Sequence, residues 1–169
     1  MLRRIVKLGI FVALVYGLYY WYFLPLNYAD IENGCDIAIE QSFRYKQKDT
    51  KKSIELIESN SPEYYQKMCR YVGTISSNFE CSAQVGRVVG CAYGGNKIGL
   101  RPLPNSSIEE LASIIIHETC HFHQGHNRPA DFYSGDLYGN LAKNEDECYS
   151  EQNKFLEKVG SSARYPNKN

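Results

Sequence analysis

Ile114-Ile-Ile-His-Glu-Thr-Cys-His121 closes an apolar run and carries His117, Glu118 and His121 in an H-E-x-x-H spacing. On an α-helix, residues four apart stack on one face about one turn apart. The two imidazoles can therefore hold one metal ion between them. Glu118, beside His117, can reach a water next to that ion as general base. Ser113 to Ile116 are mostly branched and apolar, so this helix is expected to be buried and rigid, as a metal site requires.

The neighbouring sequence frames the helix. Ser106 and Ser107 each have a glutamate three residues later, Glu109 and Glu110, the pattern of a capping box at a helix start. Residues 85–93 and 97–101 are β-type runs on either side of Gly94-Gly-Asn96, which predicts a hairpin. Gly125 is expected to end the metal helix. Residues 127–143 read as a loop, and a last helix is expected over 144–159 with Gly160 as its C-cap. Towards the N-terminus, residues 50–59 look helical. Asn60-Ser-Pro62 breaks that helix, and Ser61 caps the next one, with Pro62 in its first turn. Residues 27–49 are polar and partly amphipathic, and a helix there would let Ile37, Ile39 and Phe43 pack on the domain.

Two histidines do not complete a catalytic zinc site, which takes three protein ligands. His126 follows His121 by five residues, too close for the longer pattern whose third histidine comes six residues on, and His123 points off the ligand face. Carboxylates of the last helix, in Asn144-Glu-Asp-Glu-Cys-Tyr149, are the remaining candidates. Glu145 and Glu147 lie about 200° apart around a helix, so only one of them can face the metal.

H-E-x-x-H followed by a glutamate on a downstream helix resembles the gluzincin family of zinc metallopeptidases, over roughly residues 85–160. The family's Asn-Glu, with a small residue three positions after the Glu, is matched by Asn144, Glu145 and Cys148. The resemblance implies zinc bound by His117, His121 and Glu145, with Glu118 as the catalytic base. It also implies a peptide or protein substrate that adds to the strand at 97–101 by backbone pairing. One position departs from the family: Tyr149 stands where many members carry an Asp that supports a histidine ligand. Tyr149, Tyr138, Tyr133 and His126 are all candidates to stabilise the oxyanion. A zinc-stabilised binding domain without catalysis, and a zinc amidase acting on a cell-wall substrate, are the alternative functions.

Residues 8–26 carry no charge and follow Arg3, Arg4 and Lys7. As a helix they would span about 28 Å, close to a bilayer core. With no small-x-small cleavage site after them, they are expected to be an uncleaved anchor with the N-terminus cytoplasmic and the domain outside. The expected fold is thus a small α+β zincin-like domain with an antiparallel hairpin. Its H-E-x-x-H helix packs on a Glu-bearing C-terminal helix, and one transmembrane helix precedes it. The chain divides into an anchor (1–26), the metal domain (27–160) and a polar, frayed tail (161–169).

The 169 residues carry 19 basic and 19 acidic side chains, a balance that gives no basic face for nucleic acid. Six cysteines permit a full disulfide set in an oxidising compartment. Cys120 and Cys148, one beside each half of the metal site, are expected to pair. Cys81 and Cys91 flank a short segment leading into the hairpin and could pair, which would leave Cys35 and Cys69, one of 15 possible pairings. Asn105-Ser-Ser107 matches a glycosylation sequon but reads as the turn entering the metal helix.

Overall fold

The computed structural model describes residues 2–23, 26–40, 44–77, 89–93, 96–101, 106–127 and 137–165. The described helices are α1 (Leu2–Phe23), α2 (Arg44–Asn60), α3 (Pro62–Tyr71), α4 (Ile108–Asn127) and α5 (Leu137–Lys158). The strands are β1 (Leu26–Asp30), β2 (Cys35–Glu40), β3 (Thr74–Ser76), β4 (Gly90–Tyr93) and β5 (Lys97–Leu100).

The strands form one mixed sheet in the order β1-β2-β3-β5-β4. The expected hairpin is present as β4 antiparallel to β5. The antiparallel sheet expected from it is wrong, because β3 pairs parallel with both β2 and β5. Helices α2 and α3 make the crossover that parallel pairing requires. The β1–β2 pair replaces the helix expected within residues 27–49. Cys35, Ile37 and Ile39 are buried and alternate with exposed Asp36 and Glu40, the period of two that a half-buried strand needs. Phe43 lies outside the described residues.

The core lies between the sheet and the helices. Ile37, Ile39, Ile75 and Ile98 meet Ile54 and Ile57 of α2, Met68 of α3, Ile115 of α4 and Phe155 of α5. Helix α4 is held at its start by the capping box. Glu110 N–H donates to Ser107 Oγ at 3.2 Å, and Ser107 N–H donates to Glu110 Oε2 at 2.9 Å. Ser53 Oγ of α2 donates to Ile108 O at that same end.

Helices α4 and α5 both outrun expectation. Helix α4 runs past Gly125, where nothing forces a turn, and ends at Asn127. Helix α5 begins at Leu137 rather than Asn144. Gly160 caps its far end with φ +72, in the left-handed region that favours glycine. The tail does not fray at once. Asn153 Nδ2 donates to Tyr165 O, and Tyr165 N–H donates to Asn153 Oδ1, both at 2.9 Å.

The transmembrane expectation is overturned. Among the described residues no helix is long and apolar enough to cross a membrane. Helix α1 stops at Phe23, and Leu26 opens β1 by pairing with Ile39. The uncharged part of the helix therefore spans about 24 Å, short of a bilayer core of about 30 Å. Tyr16, Tyr19, Tyr20 and Tyr22 lower its hydropathy further. The single-pass localisation with a cytoplasmic N-terminus falls with the span.

Candidate metal centre

His117 and His121 leave α4 one turn apart, and Glu145 comes from the facing turn of α5. Their side chains meet. His117 Nε2 lies 3.1 Å from His121 Nε2, while Glu145 Oε2 and Oε1 lie 3.2 and 3.3 Å from the two imidazoles. Ligand atoms placed tetrahedrally at zinc–nitrogen distances lie about 3.3 Å from one another. Glu145 reaches the two rings with different oxygens; with one atom per residue the three donors, two imidazole nitrogens and one carboxylate oxygen, lie within 4.8 Å of one another. This group could hold a metal ion.

Glu147 does not compete. Its Oε2 accepts from Gln124 Nε2 at 3.2 Å, on the other side of the helix. The same Gln124 amide donates to Asn144 O at 3.0 Å, and Gln124 Oε1 lies 3.3 Å from His121 Nδ1. Gln124 thus ties the back of one ligand ring to the backbone just before Glu145. His123 and His126 turn away from the centre and pack their rings on Tyr71.

Two disulfides are fully described, Cys35–Cys69, the two cysteines left over, and Cys120–Cys148, as expected. The second joins α4 to α5 directly behind the ligands. Cys91 is also disulfide-bonded, while Cys81 lies outside the described residues.

His117 has a different support. Its Nδ1 is buried with no hydrogen-bond partner among the described residues. The Tyr149 ring packs on it instead, with centroids 4.5 Å apart. Tyr165 from the tail stacks in turn on Tyr149 at 6.5 Å. A tyrosine cannot accept a proton from Nδ1 by lying against the ring face, so packing replaces the hydrogen bond that a carboxylate would supply. Of the other oxyanion candidates, Tyr133 and the Tyr138 side chain lie outside the described residues.

Glu118 is buried, 5 % exposed, under strand β4. Burial pushes its carboxyl above the ordinary range, although His117, His121 and a hydrogen bond from the Ala92 backbone pull the other way. Glu145 is held well below that range by the hydrogen bonds of the two histidines. Burial would push His121 down, but the Glu145 hydrogen bond and the charges of Glu118 and Glu145 carry it upward. Two carboxylates around one centre thus have opposite tendencies, the arrangement that separates a proton carrier from a permanent anion.

The strand expected to receive a peptide needs correction. Strand β5, with Lys97 and Leu100, is enclosed between β3 and β4. Among the described strands, β4 is the edge on this side of the sheet. Arg101 N–H donates to Val89 O, so counting by twos Cys91 and Tyr93 face β5. Gly90 and Ala92 then turn their backbone groups outward. The hairpin was legible in sequence, but strand order was not, because the parallel neighbour β3 is three residues long and distant in the chain.

No family model matches the chain, and no curated protein or solved structure matches it either.

Proposed function

We propose that the protein is a zinc-dependent hydrolase of gluzincin type that cleaves peptide bonds. The observation that carries this reading is the meeting of His117, His121 and Glu145, with their ligand atoms within 4.8 Å of one another, next to the buried carboxylate of Glu118. Zinc, when bound, supplies Lewis acidity at that point. Glu118 takes a proton from the attacking water and returns it to the nitrogen of the leaving amine as the C–N bond breaks. A carboxyl raised by burial is suited to both transfers. With the Ala92 N–H given to Glu118, the outward Gly90 backbone and the Ala92 carbonyl align an extended substrate by strand pairing.

A second reading, a metal-stabilised binding domain, draws on Tyr149 and the unpartnered Nδ1 of His117. One experiment separates the two. Glu118→Gln should retain stoichiometric zinc and lose hydrolysis of an unfolded protein probe by about 10²- to 10⁴-fold. Activity unchanged in Glu118→Gln refutes this mechanism, and a purified protein without stoichiometric zinc refutes the site.

A further inference from the structure

Gly90 sits on the β4 face that α4 covers, and what it lacks is informative. A Cβ at this position would lie 2.6 Å from Ile114 Cγ2, 2.7 Å from Glu118 Oε1 and 3.2 Å from Glu118 Cγ. Real side chains do not approach so closely, so an added methyl group must displace both Ile114 and Glu118. The backbone at Gly90 is not left-handed, and the reason for glycine here is space alone. Ile114 is 2 % exposed and belongs to the packed core. It lies one turn before Glu118 on the same face of α4. Interiors resist the movement of such a side chain. Ile114 can therefore give only at the cost of strain, whereas Glu118 ends in a carboxylate on rotatable bonds and swings away from its place.

The same strand also holds that carboxylate. Ala92, two residues on and facing the same way, donates its backbone N–H to Glu118. We infer that β4 is the mount of the base. Gly90 is a positioning residue whose missing side chain lets strand and helix close until Ala92 N–H grips the Glu118 carboxylate. This rests on the reading of Glu118 as base, but its geometry exists without the metal.

The test uses the full chain, metal-free, with two readouts. First, exchange of the Ala92 amide should be about tenfold or more faster in Gly90→Ala and in Glu118→Ala than in the unaltered protein. Protection unchanged in either variant overturns the proposal. Second, the fall in Tm caused by Gly90→Ala should be clearly smaller in a Glu118→Ala background, because the carboxylate it meets is gone. An equal fall in both backgrounds would mean that Gly90 only makes room for Ile114, and the proposal fails. If Gly90→Ala alone does not fold, recovery of a folded double variant is the same result in stronger form, and an unfolded double variant overturns the proposal. Zinc binding by the unaltered protein is scored apart. Its absence removes the hydrolase reading and leaves the mount of Glu118 standing.

Discussion

Cys148 Sγ lies 3.7 Å from His121 Nδ1, behind the imidazole whose Nε2 faces His117 and Glu145. The disulfide that fixes this sulfur joins the helix of His117 and His121 to the helix of Glu145. Replacing Cys120 and Cys148 together by alanine should therefore act twice. Opening a link across 28 residues costs about 3.5 kcal/mol, a fall in Tm of about 10 °C or more. Zinc affinity should fall about 10- to 100-fold, as when a group behind a ligand is lost. Calorimetry on the folded variant measures both, and unchanged affinity would show that the staple serves stability alone.

Glu145 and Glu147 can be told apart by metal content. Glu145→Gln removes the anionic ligand and should leave the protein without stoichiometric metal. Glu147→Gln keeps an oxygen that can accept from Gln124 and should retain it. Retention by both variants would place the third ligand elsewhere.

Gln124 joins three groups, His121, Asn144 O and Glu147. Truncation to alanine releases the ring of one ligand and the turn that carries another. Metal affinity should drop about 10- to 100-fold with the ligand set intact. A chelator competition series would read this directly, and a wild-type dissociation constant would count against the role.

Away from the metal, Tyr28 and Tyr65 share a hydrogen bond at 2.9 Å, and Tyr65 donates to Asp30 at 2.7 Å. Burial, opposed by the Tyr65 hydrogen bond and supported by Glu58, pushes Tyr28 up to about 12. Tyr65 is raised as well, by burial first. A folded pKa above the unfolded value gives stability that is complete below about pH 10 and is lost as pH rises towards the folded value. Tm should therefore fall steeply above about pH 10, and Tyr65→Phe should make that fall shallower. Parallel curves for the two proteins would contradict the argument.

Local signals in the sequence translated well. The reciprocal Ser107–Glu110 bonds, the hairpin around Asn96 and the Gly160 cap each depend on a few adjacent residues. The spacing of His117, Glu118 and His121 translated because a helix fixes which residues share a face. Glu145 was expected from the family-like spacing to Cys148, and the structure brings it to His117 and His121. Cys35, Ile37 and Ile39 were misread because three alternating apolar positions in a polar stretch suit more than one element. Only the pairing with β1 and β3 decides among them. Helix α1 was misjudged because a run without charges is not the same as a helix of that length. Three residues beyond Phe23, at Leu26, the chain is already committed to the sheet. Gly90 escaped notice because a glycine chosen for space is silent until its neighbours are known.

The stack of Tyr165 on Tyr149, and of Tyr149 on His117, has a consequence for how the molecule is handled. Replacing Tyr165 by alanine would take away the outer ring of that stack. Removing it would uncover Tyr149 and loosen the ring of a metal ligand. Proteins with and without the Tyr165 ring would then differ in how fast they give up metal to a chelator.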